Sequence, residues 1–335
     1  MRRCRKRAPL LDTTAPPSTA ADPIDAAMQR VDDLIRERLA SRVVLIDQIS
    51  RYIVGAGGKR IRPRLVLLFC EALGFEGPES LELAAVVEFI HTATLLHDDV
   101  VDESALRRGR ATANAIFGNA ASVLVGDFLY SRAFQMMVSV NRMRVLEVLA
   151  DATNVIAEGE VLQLMNMHDP DLAVADYLRV IRYKTAKLFE AGARIAAVLA
   201  GAGPDQEDKC ARYGASLGRA FQITDDVLDY SGHAEDIGKR LGDDLREGKV
   251  TLPLIHALRS AAPDQRDLVA RAVRDGNGDF GAIARIVADN GSLAYSLKLA
   301  QREADEGRLA IESLPPSECR DSLIHLLAFA VDRDR

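Results

Sequence analysis

Three aspartates, Asp98, Asp99 and Asp102, close an apolar run that reads Thr92-Ala-Thr-Leu-Leu-His-Asp-Asp-Val-Val-Asp. On a helix of about 3.6 residues per turn, Asp98 and Asp102 stack one above the other and Asp99 stands beside them. Like charges at that spacing cost about 0.2–0.5 kcal/mol per pair, so a helix keeps them only where solvent or a cation compensates. Oxygen-only ligands on one face suit a hard cation, Mg2+ in particular, which takes one or two carboxylates together with substrate phosphate oxygens. Arg107 and Arg108, just beyond, offer planar forks for those phosphates.

Spacing alone decides nothing. With 49 acidic residues in 335, an acidic-acidic-x-x-acidic pattern arises about once by chance, and three copies occur: Asp98/Asp99/Asp102, Asp225/Asp226/Asp229 and Asp243/Asp244/Glu247. The first two lie among Leu, Val, Ile, Phe and Ala, where an unpaired carboxylate is costly, and that setting carries the signal. The third lies among Lys239, Arg240, Arg246 and Lys249 and reads equally well as a solvated turn.

A second constellation is Val54-Gly-Ala-Gly-Gly-Lys-Arg-Ile-Arg-Pro-Arg64, where glycines precede Lys59, Arg60, Arg62 and Arg64 at the mouth of a helix. Glycine lets backbone approach closely and a helix N-terminus favours anions, so the turn reads as a diphosphate cradle; a basic surface turn is the alternative. His91 falls seven residues before Asp98 and points into the same space, although a lone histidine on an apolar helix is more often a core residue. Glu88-x-x-His91 has the form of half a di-iron motif, without a second copy. Further along, Glu158 and Gln163 interrupt a mainly apolar run, Lys184 and Thr185 stand where a helix turns apolar, and Gln222 lies one turn before Asp226.

Long helices must position these groups. From Pro23 onward apolar residues recur at three and four positions, as in Met28, Val31, Leu34, Ile35 and Leu39, and convincing strand alternation is absent. Glycine and proline fall mostly between the periodic segments, so residues 23–335 read as one all-α domain. Residues 1–22, basic and then rich in Pro, Ala and Thr, lack the apolar stretch of a secretory signal and read as a disordered tail, with a transit peptide as the alternative. The helices after Thr251 carry no assignable chemistry and complete the core. A net charge of −6 argues against nucleic acid as a partner. Cys4, Cys70, Cys210 and Cys319 form no CxxC and suit reduced thiols in the cytoplasm. No apolar run reaches the roughly 18–20 residues that span a bilayer.

Taken together the segments GGKRIRP, LLHDDVVDESALRRG, GDFLYSRAFQMM, KTA, FQITDDVLD and GDDLREGKVTLP, in this order from about Val31 to the C-terminus, resemble the trans-prenyltransferase, or polyprenyl synthetase, family. Within it, EFIHTATLLHDDVVDES and NVIAEGEVLQLMN are most similar to the bacterial members that make octaprenyl diphosphate for the ubiquinone side chain. The resemblance implies an all-α bundle of the isoprenoid synthase type with a central apolar cavity. It implies Mg2+-dependent addition of isopentenyl diphosphate to an allylic diphosphate, three ions per site, a homodimer, and a lipid product delivered to the membrane.

By that resemblance, Asp98 and Asp102 ligate two Mg2+ and Asp225 a third, with Asp99 and Asp229 in support. Lys59, Arg62 and His91 hold isopentenyl diphosphate with help from Arg108, while Arg107 and Lys239 face the allylic diphosphate. Lys184, Thr185 and Gln222 stand beside the reacting carbon. Ala93 and Thr94, both small, line the upper wall of the product tunnel and Met137 its floor. Synthases of other chain length, heptaprenyl, nonaprenyl or decaprenyl, remain the near alternatives. A non-catalytic partner subunit is expected to have lost an aspartate cluster, and a terpene cyclase to mix Asn, Ser and Glu in the second; a di-iron oxidase fits less well still.

Overall fold

The three-and-four periodicity becomes helix throughout the computed structural model, which describes residues 24–55, 57–107, 109–231 and 241–332. The expected disordered tail 1–22, Arg108 and Lys239 lie outside the described residues. In order, the helices are α1 (Asp25–Leu39), α2 (Val44–Val54), α3 (Ile61–Ala72), α4 (Glu79–Val101), α5 (Ala113–Phe117), α6 (Asn119–Ser139), α7 (Met143–Met165) and α8 (Val174–Ile181). A π-helical turn (Arg182–Ala186) leads into α9 (Lys187–Leu199), α10 (Pro204–Ser231), α11 (Asp243–Arg246), α12 (Leu252–Ser260), α13 (Pro263–Asp275), α14 (Phe280–Asp289), α15 (Ser292–Ala310) and α16 (Glu318–Val331). Strand is confined, among the described residues, to a short antiparallel ladder pairing Leu106–Arg107 with Arg110–Ala111.

Two apolar clusters organise the bundle. The first gathers α1 to α7, α9, the N-terminal half of α10 and α16; the second gathers α8, the C-terminal half of α10 and α11 to α15. Full burial of a side chain such as Leu65 or Phe69 contributes about 1.5–3 kcal/mol, and both are 0% exposed. Helix α4 is buried on all faces from Leu83 to Ile90, as a helix apolar all round must be, and it emerges at its C-terminal end carrying Asp98, Asp99 and, at the cap, Asp102. Helix α10 passes from one cluster to the other, and Asp225, Asp226 and Asp229 fall on its second half between Ile223 and Tyr230.

Close backbone approach fixes the middle of the bundle. A Cβ on Gly218 would lie 2.5 Å from the Ala186 Cα, and one on Gly159 would lie 2.6 Å from the Lys184 backbone nitrogen. Glycine at these two positions therefore lets α10 and α7 press directly on the π turn. That turn carries Lys184 and Thr185, and isolated π turns inside helices are frequent at functional sites.

Candidate active site

Two adjacent side chains of the π turn reach both aspartate helices. Lys184 Nζ lies 3.5 Å from Asp98 Oδ2 on α4 and 2.5 Å from Glu160 Oε2 on α7. Thr185 Oγ1 donates to Gln222 Oε1 at 2.9 Å, and Gln222 Nε2 donates in turn to Asp226 Oδ1 at 2.7 Å. The π turn thus contacts a carboxylate of α4 directly and one of α10 through Gln222.

The third acidic cluster joins the same site, so the solvated-turn reading does not hold. Lys249 Nζ lies 2.7 Å from both Asp102 Oδ2 and Glu247 Oε2, and its backbone N–H donates to the Asp244 carbonyl at 2.8 Å. Burial alone would lower the Lys249 pKa; Asp102, Glu247 and Asp244 outweigh it and keep the ammonium charged. Asp226 is buried, and its carboxyl is pushed up by that burial and by Asp244, against the pull of two donors, Tyr177 Oη at 2.6 Å and Gln222. Asp229 Oδ1 accepts from the Gly242 N–H at 3.1 Å. Burial, reinforced by Asp98 and opposed by Lys184, pushes Glu160 up to about 7.

The basic residues divide into two groups. Arg60, in the left-handed region at φ 48°, turns into the core to pair with Glu88 and, at 3.4 Å, Asp32. It is an anchor of α3 and not part of an anion cradle, and Glu88, committed to it, does not act as half of a di-iron motif. Arg64 lies 3.4 Å from Asp25. Lys59 Nζ stands 4.6 Å from the centre of the Phe329 ring, and the Arg62 guanidinium lies 4.2 Å over Phe189. The C-terminal helix α16 therefore contributes a wall for Lys59, beyond the core role expected of it. Arg107, expected to face a diphosphate, packs its Nε 2.7 Å from Asp99 Oδ1.

An open groove of about 800 Å3, within the range of ligand sites at about 300–1,000 Å3, runs along α6 past Asp127, Tyr130, Ser131, Phe134, Gln135 and Val138. Tyr130, which lines it, is pushed up to about 12 by burial and then by the charges of Asp98 and Glu160. Ala93 and Met137 do not line it: both are packed in the first cluster, at 0% and 1% exposure. Thr94 spends its hydroxyl on the His91 carbonyl at 2.8 Å, and His91 is half-buried on the same turn.

Sequence reasoning missed Glu160 and Tyr177, and left Asp244 and Lys249 undecided between a site and a solvated turn. Glu158, which it singled out, is exposed and pairs with Asn154 at 3.0 Å, while Glu160 two residues on faces the site. The signal for Lys249 was present in the block GDDLREGKVTLP.

The donor set fits Mg2+. Among the described residues no three Asp, Glu, His or Cys side chains converge into a ready-made cage, and Mg2+ is usually held by one or two carboxylates and substrate phosphate oxygens, without such a cage. Asp98 and Asp102 at the end of α4 and Asp225 on α10 offer oxygen donors of that kind.

Residues 43–289 match the polyprenyl synthetase family. Over 310 residues, 92% of this chain and 96% of the relative, the sequence is 53% identical to octaprenyl diphosphate synthase of Escherichia coli (strain K12). It is 44% identical over 313 residues, 93% and 96% of the two chains, to the geranyl-diphosphate-specific all-trans-nonaprenyl-diphosphate synthase of Rhodobacter capsulatus. The crystal structure of polyprenyl synthase from Caulobacter crescentus CB15, complexed with calcium and isoprenyl diphosphate, superposes with a TM-score of 0.91 at 45% identity, covering 93% and 96%. Since a family match over residues 43–289 is joined by similarity at this level through nearly the whole chain, the chain belongs to the polyprenyl synthetase family.

Proposed function

We propose that the chain is a long-chain trans-polyprenyl diphosphate synthase, adding isopentenyl diphosphate head-to-tail to an allylic diphosphate. The product proposed is octaprenyl diphosphate, grown from farnesyl diphosphate, for the ubiquinone side chain. One observation carries the reading: Lys184 and Thr185, adjacent on the π turn, link Asp98 on α4 to Asp226 on α10 through Gln222. The identity to the E. coli octaprenyl enzyme favours that chain length, and the nonaprenyl relative keeps a neighbouring length as the second reading.

Breaking the allylic carbon–oxygen bond leaves a carbocation and a diphosphate anion, so fixed positive charge at the leaving group lowers the barrier. Three Mg2+ held by Asp98, Asp102 and Asp225, with Asp99 and Asp229 in support, would supply much of that charge. The chain adds its own through Lys184, Lys239, Lys249 and Arg107. Lys59, Arg62 and His91, with Arg108, take the diphosphate of isopentenyl diphosphate. Thr185, Gln222 and the Lys184 carbonyl present dipoles to the allylic carbon in a site where water is scarce. The departing diphosphate accepts the proton lost after the double bond attacks.

Residues 23–335 serve as one catalytic unit in this proposal. Val123, Leu124, Val138, Met143, Val161 and Met165 expose apolar surface on α6 and α7, which suits a homodimer interface. Among the described residues no helix is long and apolar enough to cross a membrane, and we place the enzyme in the cytoplasm, handing its lipid product to the bilayer. Steady-state kinetics test the site. Asp98→Ala or Asp225→Ala lowers turnover about a hundredfold or more by removing charge stabilisation, while Lys59→Ala chiefly raises the KM for isopentenyl diphosphate. Near-normal turnover in the aspartate variants would refute the assignment.

A further inference from the structure

Glu160 has no role in the mechanism above, yet its side chain reaches the centre of the site. It lies on α7 where Gly159 brings that helix into backbone contact with the π turn, and its Oε2 takes the Lys184 ammonium at 2.5 Å. The same ammonium stands 3.5 Å from Asp98 Oδ2, so two carboxylates on different helices compete for one cation and Glu160 holds it closer. The three side chains are largely shielded, with Lys184 at 18%, Asp98 at 16% and Glu160 at 28% exposure, and in such a setting charge pairs act more strongly than in open water.

We propose that Glu160 is a positioning residue: it draws the Lys184 ammonium off Asp98, leaving that carboxylate free to take a divalent cation together with a diphosphate. The inference rests on the metal-binding reading of Asp98. Without the Glu160 charge, Lys184 settles on Asp98 and a divalent cation must displace it. The consequence is a weaker metal site that depends on Lys184, which separates positioning from a simple loss of negative charge.

A double-mutant cycle tests this on the full chain. Mn2+ binding in the presence of inorganic pyrophosphate is followed by electron paramagnetic resonance for the wild type, Glu160→Gln, Lys184→Met and the double variant. Gln matches Glu in size, and thermal melting of each variant checks that the fold is intact. Glu160→Gln is expected to raise the half-saturating Mn2+ concentration at least fivefold when Lys184 is present, and less than twofold when residue 184 is Met. Equal weakening in both backgrounds, or none in either, overturns the proposal. Absence of Mn2+ binding by the wild type overturns the metal reading itself, and the positioning role with it.

Discussion

Tyr177→Phe deletes a single oxygen and asks whether Gln222 is held in place through Asp226. Tyr177 and Asp226 are 4% and 3% exposed, and the two oxygens of the carboxylate accept from Tyr177 Oη at 2.6 Å and Gln222 Nε2 at 2.7 Å. A hydrogen bond to a charged group contributes about 1.5–3 kcal/mol net, and removing the donor leaves a buried acceptor short of its partner. Phe fills almost the same volume, so the cavity contribution is small. A stability loss of about 1.5–3 kcal/mol corresponds to a melting temperature lower by a few degrees in a chain of this size. Burial and Asp244 push the Asp226 carboxyl up, while Tyr177 and Gln222 pull it down. Loss of Tyr177 moves it further up, so the deficit is full where Asp226 is ionised in both proteins and fades as pH falls from the variant's folded pKa to the wild type's lower one. Calorimetry on metal-free protein across pH reads this directly. Gln222, its anchor weakened, also orients Thr185 less well, so kcat should fall severalfold while the KM for isopentenyl diphosphate holds. A melting temperature and kcat both equal to wild type would refute the reasoning.

Phe134→Ala enlarges the groove next to Tyr130 and should shift products to longer chains; unchanged chromatograms of the dephosphorylated products would remove the groove as the product path. Ala93→Tyr should cost about 1–3 kcal/mol or more in stability, read by thermal melting, because the position is fully buried in the packed core. Gly218→Ala, whose new Cβ meets Ala186 Cα at 2.5 Å, should part α10 from the π turn, costing about 1–3 kcal/mol and stretching the Thr185–Gln222 bond. Gly203→Ala, with nothing within 4 Å, is the neutral control; equal melting of the two variants would sink the argument.

The helical bundle was legible because periodicity and glycine or proline punctuation are local properties. Pro78 marks the start of α4, and an apolar stretch on all faces marks it as central. The first two aspartate clusters were legible from their apolar setting. Arg60 was misjudged because its left-handed φ, which turns the side chain inward to Glu88, is invisible in the basic turn that contains it. At Ala93 and Met137 the periodic pattern shows that the side chain faces inward, as both do, but not whether it meets a groove or a packed neighbour. Tyr177 and Glu160 were missed, and Lys249 was left undecided, because their partners lie 49, 24 and 147 residues away, beyond any local pattern.

The missed residues also change the electrostatic argument. From sequence, three aspartates at the end of α4 demand an external cation, since their repulsion of about 0.2–0.5 kcal/mol per pair has no nearby counter-charge. In the structure each has one from a different segment: Lys184 for Asp98, Arg107 for Asp99 and Lys249 for Asp102. The helix end is therefore tolerable without a divalent ion, and the fold does not depend on binding one. On the proposed metal reading a divalent ion must displace Lys249 from Asp102, whereas Glu160 already holds Lys184 closer than Asp98 does. The pairing of Lys249 with both Asp102 and Glu247 explains why the third acidic cluster, with Lys249 at its end, belongs with the first and not to the surface.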